Sequence, residues 1–237
     1  MIKRNVDAFN ADVRANDGYQ YTTNSPYSAI VANRRITDAT LEHIAAEVTT
    51  VLDLGCGDGT YTAEILAARP SLRIIGLDAA QAAIEVARRR HPGIEFRTGD
   101  ALEASTFAPR SFDLAIARGV LHHLSDPARA ISNLTSWASR VLIIEPNGNN
   151  PLLKVIEKVS RYHREHEERS FSARRLQRWC RDARASVTSL SYIGFVPFYF
   201  PTAGARVIHA VQPLLERVPL LPDLLGAQIV LMLESPR

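Results

Sequence analysis

The chain predicts an α/β protein built on a doubly wound, mostly parallel sheet, and three features of its 237 residues carry that prediction. Short Val/Ile/Leu-rich runs alternate with amphipathic stretches, the pattern of strands covered on both faces and joined by crossover helices. The run Val51 to Leu54 leaves through Gly55-Cys56-Gly57-Asp58-Gly59, with glycine at every second position, into a helix that starts near Thr60. The next run, Leu72 to Asp78, ends in a carboxylate at the edge where such sheets collect ligands.

The elements follow in order. Residues 1–48 read as a cover segment and a helix from about Thr37 to Val48, with three tyrosines in the turn-rich run Gly18 to Tyr27. Residues 49–146 hold five strands, at 51–54, 72–78, 94–98, 111–118 and 141–146, with helices Thr60 to Ala68, Ala79 to Arg90 and Pro127 to Trp137 between them. The last helix has the clearest start, because Asp126 can accept from its free N–H groups while Pro127 sits where no donor is needed. Residues 147–171 read as a helix-forming insertion, after which Ser172 caps a helix with Leu176, Trp179, Cys180 and Ala183 along one face. Val187 to Phe195 reads as strand six and Gln228 to Leu233 as strand seven. A second insertion, 197–226, rich in Leu, Val, Phe and Pro, separates them. One domain spanning 1–237 is the expected organisation.

Composition narrows the setting. With 46% hydrophobic and 22% charged residues the chain can bury one α/β core. Two cysteines, Cys56 and Cys180, make no disulfide framework and suit a reducing cytoplasm. Neither a signal peptide nor a membrane span is expected. From Lys154 to Arg184 ten Lys and Arg face five Asp and Glu, a local balance of +5 within a total of +3. The bland reading is a solvated helical face with pairs such as Arg161 and Glu165; the sharper one is an anionic acceptor drawn by Arg161, Arg164, Arg169, Arg174 or Arg175. Mixed signs without interleaved aromatics argue against nucleic acid.

The glycine turn brings backbone close to a nucleotide-sized ligand. Its spacing, G-x-G-x-G with Thr60 where a dinucleotide fingerprint has its third glycine, makes an NAD-dependent oxidoreductase the weaker alternative. The run resembles the first motif of class I S-adenosylmethionine (SAM) dependent methyltransferases of the small-molecule type. Asp78 after strand two, Gly99-Asp100-Ala101 after strand three, and Gly119-Val120-Leu121-His122-His123-Leu124 after strand four extend the likeness, and Val141 to Pro146 completes it. The resemblance implies a seven-stranded Rossmann-like sheet with strand seven antiparallel at its far side. It implies SAM as cofactor, S-adenosylhomocysteine as product, and insertions around strand six that form the acceptor wall. It also implies cofactor binding by Asp53, Gly55, Cys56, Gly57, Gly59, Asp78, Ala79, Asp100, Ala101 and Arg118, with Asp78 on the ribose and Asp100 on the adenine amine.

Methyl transfer of this kind is mainly positioning, together with removal of a proton from an oxygen or ammonium nucleophile. Imidazoles titrate near neutrality, so His123, slightly ahead of His122, is the expected base. Tyr21 is the expected cover residue, and His163 and Arg164 the expected acceptor contacts from the first insertion. His163, His166 and Glu167 have helical ligand spacing but no distant partner, and no metal is expected. Arg118-Gly119-Val120-Leu121 stands where enzymes acting on exocyclic base amines carry Asn/Asp-Pro-Pro-aromatic, and neither cysteine is placed for carbon-5 pyrimidine chemistry. A small-molecule acceptor remains, methylated at O, N or C, anionic or lipid-linked. A non-catalytic SAM-binding protein is the reading from another class, and the apolar residues around 197–226 admit interior packing, a greasy pocket, a membrane contact or a homodimer contact.

Overall fold

The computed structural model describes residues 3–19, 22, 25–159, 170–198 and 200–236. At its centre is one seven-stranded sheet of β1 (Thr50–Leu54), β2 (Arg73–Asp78), β3 (Glu95–Thr98), β4 (Phe112–Arg118), β5 (Ala138–Pro146), β6 (Ser186–Ile193) and β7 (Gln228–Glu234). The strand order is β3-β2-β1-β4-β5-β7-β6. β1 to β5 pair in parallel, and β7 runs antiparallel to both β5 and β6. The antiparallel strand is therefore held between two others, and β6 forms the edge.

Alternate residues of the central strands feed two cores, as period-two side chains must when both faces are covered. On one face Leu52, Leu54, Ala115, Ala117, Val141 and Ile143 meet Ile131, Leu134 and Trp137 of α5 (Pro127–Trp137) and Leu176 and Cys180 of α7 (Ala173–Asp182). On the other, Val51, Leu114, Ile116, Leu142 and Ile144 meet Ile36 and Ala39 of α2 (Tyr27–Glu42) and Ile65 of α3 (Thr60–Ala68). Asp126 caps α5 by accepting from Arg129 N at 3.0 Å, and Ser172 Oγ caps α7 by accepting from Arg175 N at 3.3 Å. The remaining helices are α1 (Lys3–Asn16), α4 (Gln81–Arg90), α6 (Pro151–Val159), α8 (Thr202–Leu215) and α9 (Leu221–Leu225). Among the described residues no helix is long and apolar enough to cross a membrane.

The helix expected over 37–48 lies instead at Tyr27–Glu42, entered from Pro26. Thr37 is no start signal. It sits mid-helix, where its hydroxyl donates to Glu64 at 3.0 Å and accepts from Arg118 at 2.9 Å. The buried stripe is Ala29, Ala32, Ile36 and Ala39, small residues at helical spacing that a search for larger side chains passes over. Arg35 on this helix donates to both carboxylate oxygens of Glu216 at 3.0–3.1 Å, and Glu216 also accepts from Gly194 N at 2.9 Å, fastening α2 to the second insertion.

Gly59 closes the turn into α3 at φ +80°, and a Cβ there would lie 2.7 Å from Phe96 Cζ and 3.1 Å from Ala87 Cβ. Left-handed backbone costs an L-residue roughly 1–2 kcal/mol and overpacking adds about 1–3. Gly59→Ala should lower unfolding free energy by about 2–4 kcal/mol, read as a reduced urea midpoint at unchanged slope; a midpoint within error of wild type removes this account of the turn.

Candidate functional site

The order of strands reverses between β1 and β4, which is where open parallel sheets leave a crevice beyond their carboxyl ends. The glycine turn borders it. Gly55, Gly57 and Gly59 all have positive φ, at +75°, +55° and +80°, so each position suits glycine on backbone grounds alone. Protein side chains occupy the space of the three missing Cβ atoms: Val120 at Gly55, Tyr19 at Gly57 and Phe96 at Gly59. Gly55, Cys56 and Gly57 line a cavity of about 280 Å³, whereas Gly59 faces the packing of α4 and β3.

One end of the cavity is polar. Asp53, buried at the end of β1, accepts from Thr62 Oγ1 at 2.5 Å. Burial pushes its carboxyl up to about 6, against the pull of that hydroxyl and of Arg118. Arg118, the last residue of β4, donates to Thr37 Oγ1 at 2.9 Å and to the carbonyl and amide oxygens of Asn33 at 3.1 and 3.2 Å. Its guanidinium stacks 3.9 Å from the centre of the Tyr61 ring. A buried carboxylate and a guanidinium facing one small cavity suit a zwitterionic amino-acid group. The Cys56 thiol, raised well above its usual range by burial, is no nucleophile.

Both histidines after β4 line the same cavity. His122 Nδ1 lies 2.7 Å from Glu145 Oε2, and Glu145, 0% exposed at the end of β5, also accepts from Val120 N at 2.9 Å and Leu121 N at 2.8 Å. A carboxylate only accepts, so Nδ1 carries the hydrogen and Nε2 is the ring's basic nitrogen. The His123 ring lies 3.9 Å from that of His122 between centroids, tilted by 47°, and meets Phe9 of α1 edge to face at 5.0 Å.

Asp78, Ala79, Asp100 and Ala101 are not among the residues that line this cavity. Asp78 Oδ2 accepts from Gly57 N at 3.0 Å and Oδ1 from Ala80 N at 2.8 Å; burial raises its carboxyl and those N–H groups oppose the rise. Tyr19, whose hydroxyl is pushed up by burial and then by the nearby Asp78 and Asp58, covers this side of the turn. Its segment is latched to the turn itself, since Asp58 Oδ2 accepts from Thr22 Oγ1 at 2.6 Å, Tyr19 N at 3.3 Å and Arg90 at 3.3 Å. Ala79 follows Asp78, Asp100 accepts from Leu102 N at 3.0 Å on an exposed turn, and the Ala101 carbonyl accepts from Asn133 at 2.8 Å. Tyr21, His163 and Arg164 fall outside the described residues.

A sequence profile described as a methyltransferase domain matches residues 51–142. A malonyl-[acyl-carrier protein] O-methyltransferase of Halalkalibacterium halodurans is 31% identical over 107 residues, 43% of this chain and 37% of the relative. A trans-aconitate 2-methyltransferase of Methylobacterium radiotolerans is 43% identical over 84 residues, 35% and 31% of the two chains. The chain thus spans about a third of the length of these curated relatives. Its fold is that of a SAM-dependent methyltransferase from Thermotoga maritima, at TM-score 0.67 and 16% identity over 97% of this chain and 99% of the other. Residues 51–142 thus match a methyltransferase domain, set in a fold shared with SAM-dependent methyltransferases.

The residues that sequence reasoning passed over are those whose partners are far away in the chain. Glu145 bonds a loop some 25 positions earlier, and Asn33 and Thr37 fix Arg118 from more than 80 positions away. Glu145 carried one signal, a carboxylate at the carboxyl end of an otherwise apolar strand.

Because the Asp53 carboxyl rises from 3.8 to about 6 on folding, its ionisation opposes the fold. Its contribution is fully favourable below pH 3.8 and is lost as pH rises through 6. The stability of Asp53→Asn relative to wild type should therefore increase by about 3 kcal/mol between pH 4 and pH 8 in urea titrations, and a pH-independent difference would overturn the assignment.

Proposed function

We propose that the protein transfers a methyl group from SAM to an oxygen of a small-molecule acceptor, with His122 taking the acceptor's proton. The observation that carries this reading is an imidazole at the cavity wall whose Nδ1 is tied to a fully buried carboxylate. That tie fixes the ring's orientation at the cavity wall and is the reason for choosing His122. Bound SAM supplies a methyl carbon made electrophilic by its sulfonium, and its sulfur departs as the thioether of S-adenosylhomocysteine when the acceptor oxygen takes that carbon.

The chain's own residues divide the remaining work. Asp53 would receive the ammonium and Arg118 the carboxylate of the cofactor's amino-acid end, alongside the backbone of residues 55–57. Asp78, whose carboxylate already accepts from the Gly57 and Ala80 N–H groups, is the candidate for the ribose hydroxyls, and Ala79, Asp100 and Ala101 are the candidates for the adenine end. In the same reading residues 1–48 cover this half, with Tyr19 as the covering ring, and insertions 147–171 and 197–226 wall the acceptor within a single domain. The apolar side chains around the cavity keep water from the reacting oxygen. One relative is named an O-methyltransferase of a malonyl group, which favours oxygen.

The test is transfer of label from methyl-labelled SAM to a panel of hydroxyl and carboxyl acceptors. For the hydroxyl acceptor that wild type uses, His122→Ala should slow turnover by roughly 10²-fold or more while leaving SAM affinity unchanged. Wild-type turnover in that variant removes His122 from the chemistry. Asp78→Ala should weaken SAM binding in calorimetric titration by about 1.5–3 kcal/mol, and unchanged affinity in a folded variant removes the ribose role.

A further inference from the structure

The cavity is lined by polar groups, Asp53, Arg118 and His122, and by apolar side chains of the two insertions, Leu153 of α6, Pro197 and Phe198, of which Phe198 is 37% exposed. Of the thirteen exposed large apolar side chains among the described residues, all but Ile30 and Leu190 belong to the same two insertions. Leu152 and Val155, 55% and 56% exposed, flank Leu153 on the same helix. Leu224 and Leu225 lie on α9, which packs against α6, and Asn150 Nδ2 donates to the Leu225 carbonyl at 2.9 Å. The insertions thus present apolar side chains both to the cavity and to solvent, and a polar acceptor has no use for the exposed ones.

Building on the proposed methyl transfer, we infer that the acceptor is an amphiphile. Its polar head would reach His122, and an alkyl or isoprenoid chain would pass between Leu153 and Phe198 onto the rim formed by Leu152, Val155 and Leu224. The chain supplies affinity by burial and the head supplies orientation. The rim also contributes to selection, since a short polar analogue of the same head leaves these side chains in water.

The experiment uses the whole protein saturated with S-adenosylhomocysteine, titrated with n-alkyl carboxylates from butyrate to dodecanoate below their micelle concentrations. Failure of S-adenosylhomocysteine to bind is a separate observation and strikes the proposed function itself. With it bound, affinity should rise roughly three- to four-fold per added methylene at one-to-one stoichiometry, the gain for a buried CH₂. Leu152→Asp, at an exposed position, should keep butyrate affinity and flatten the rise for the longest chains. Affinity independent of chain length overturns the inference, as does a rise that Leu152→Asp leaves intact. Sedimentation showing a wild-type dimer that Leu152→Asp dissociates would assign the rim to a second copy instead and equally overturn it.

Discussion

The arrangement of the site depends on the carboxylate of Glu145. A charge without water contact is costly unless donors surround it, and here two backbone N–H groups and an imidazole do so. All three come from the loop that follows β4, so the end of β5 holds that loop in place. Val120, whose N–H is one of the donors, is also the side chain that rests against Gly55. One buried carboxylate thereby sets the facing of His122 and the wall that the glycine turn packs against, and a polar network of this kind, fully satisfied, is rigid.

A second carboxylate organises the opposite side of the turn. Asp58 lies between Gly57 and Gly59, and its oxygens accept from Thr22, Tyr19 N, Arg90 and Thr60. The covering segment is anchored on the cofactor turn itself, so the turn and its cover respond to each other. Tyr19 occupies the space that a Cβ on Gly57 would need, beside the carboxylate of Asp78. Glycine at 57 thus serves the backbone, at φ +55°, and admits an aromatic cover. In the proposed reading, access to the ribose carboxylate runs past this ring.

How much was legible in the sequence follows from how local each signal is. Glycine spacing, the Asp126-Pro127 start and the Ser172 cap each act within a few residues, and the elements they mark lie where the sequence puts them. Helix α2 starts well before the expected Thr37; the stripe it buries, Ala29, Ala32, Ile36 and Ala39, is mostly alanine and gives little signal, and Thr37 itself bonds across the fold to Arg118 and Glu64. Which of two adjacent histidines is anchored depends on a residue in the neighbouring strand, and no periodicity within the loop records it. The glycines were read as space for a ligand, yet the side chains that enter that space come from the N-terminal segment, β3 and the loop after β4. Absence of a side chain is visible in a sequence; what takes its place is a tertiary fact.

The mixture of polar and apolar groups in the cavity's lining has a physical logic. The hydrogen bond of His122 to Glu145 and the influence of Arg118 on Asp53 strengthen as water is excluded, because local dielectric falls. Ile36, Ile144, Leu153, Pro197 and Phe198 give the same cavity apolar walls. More polar walls would bring water to the imidazole and weaken the contact that orients it. The low polarity that makes Glu145 costly without its donors makes its bond to His122 strong once they are present.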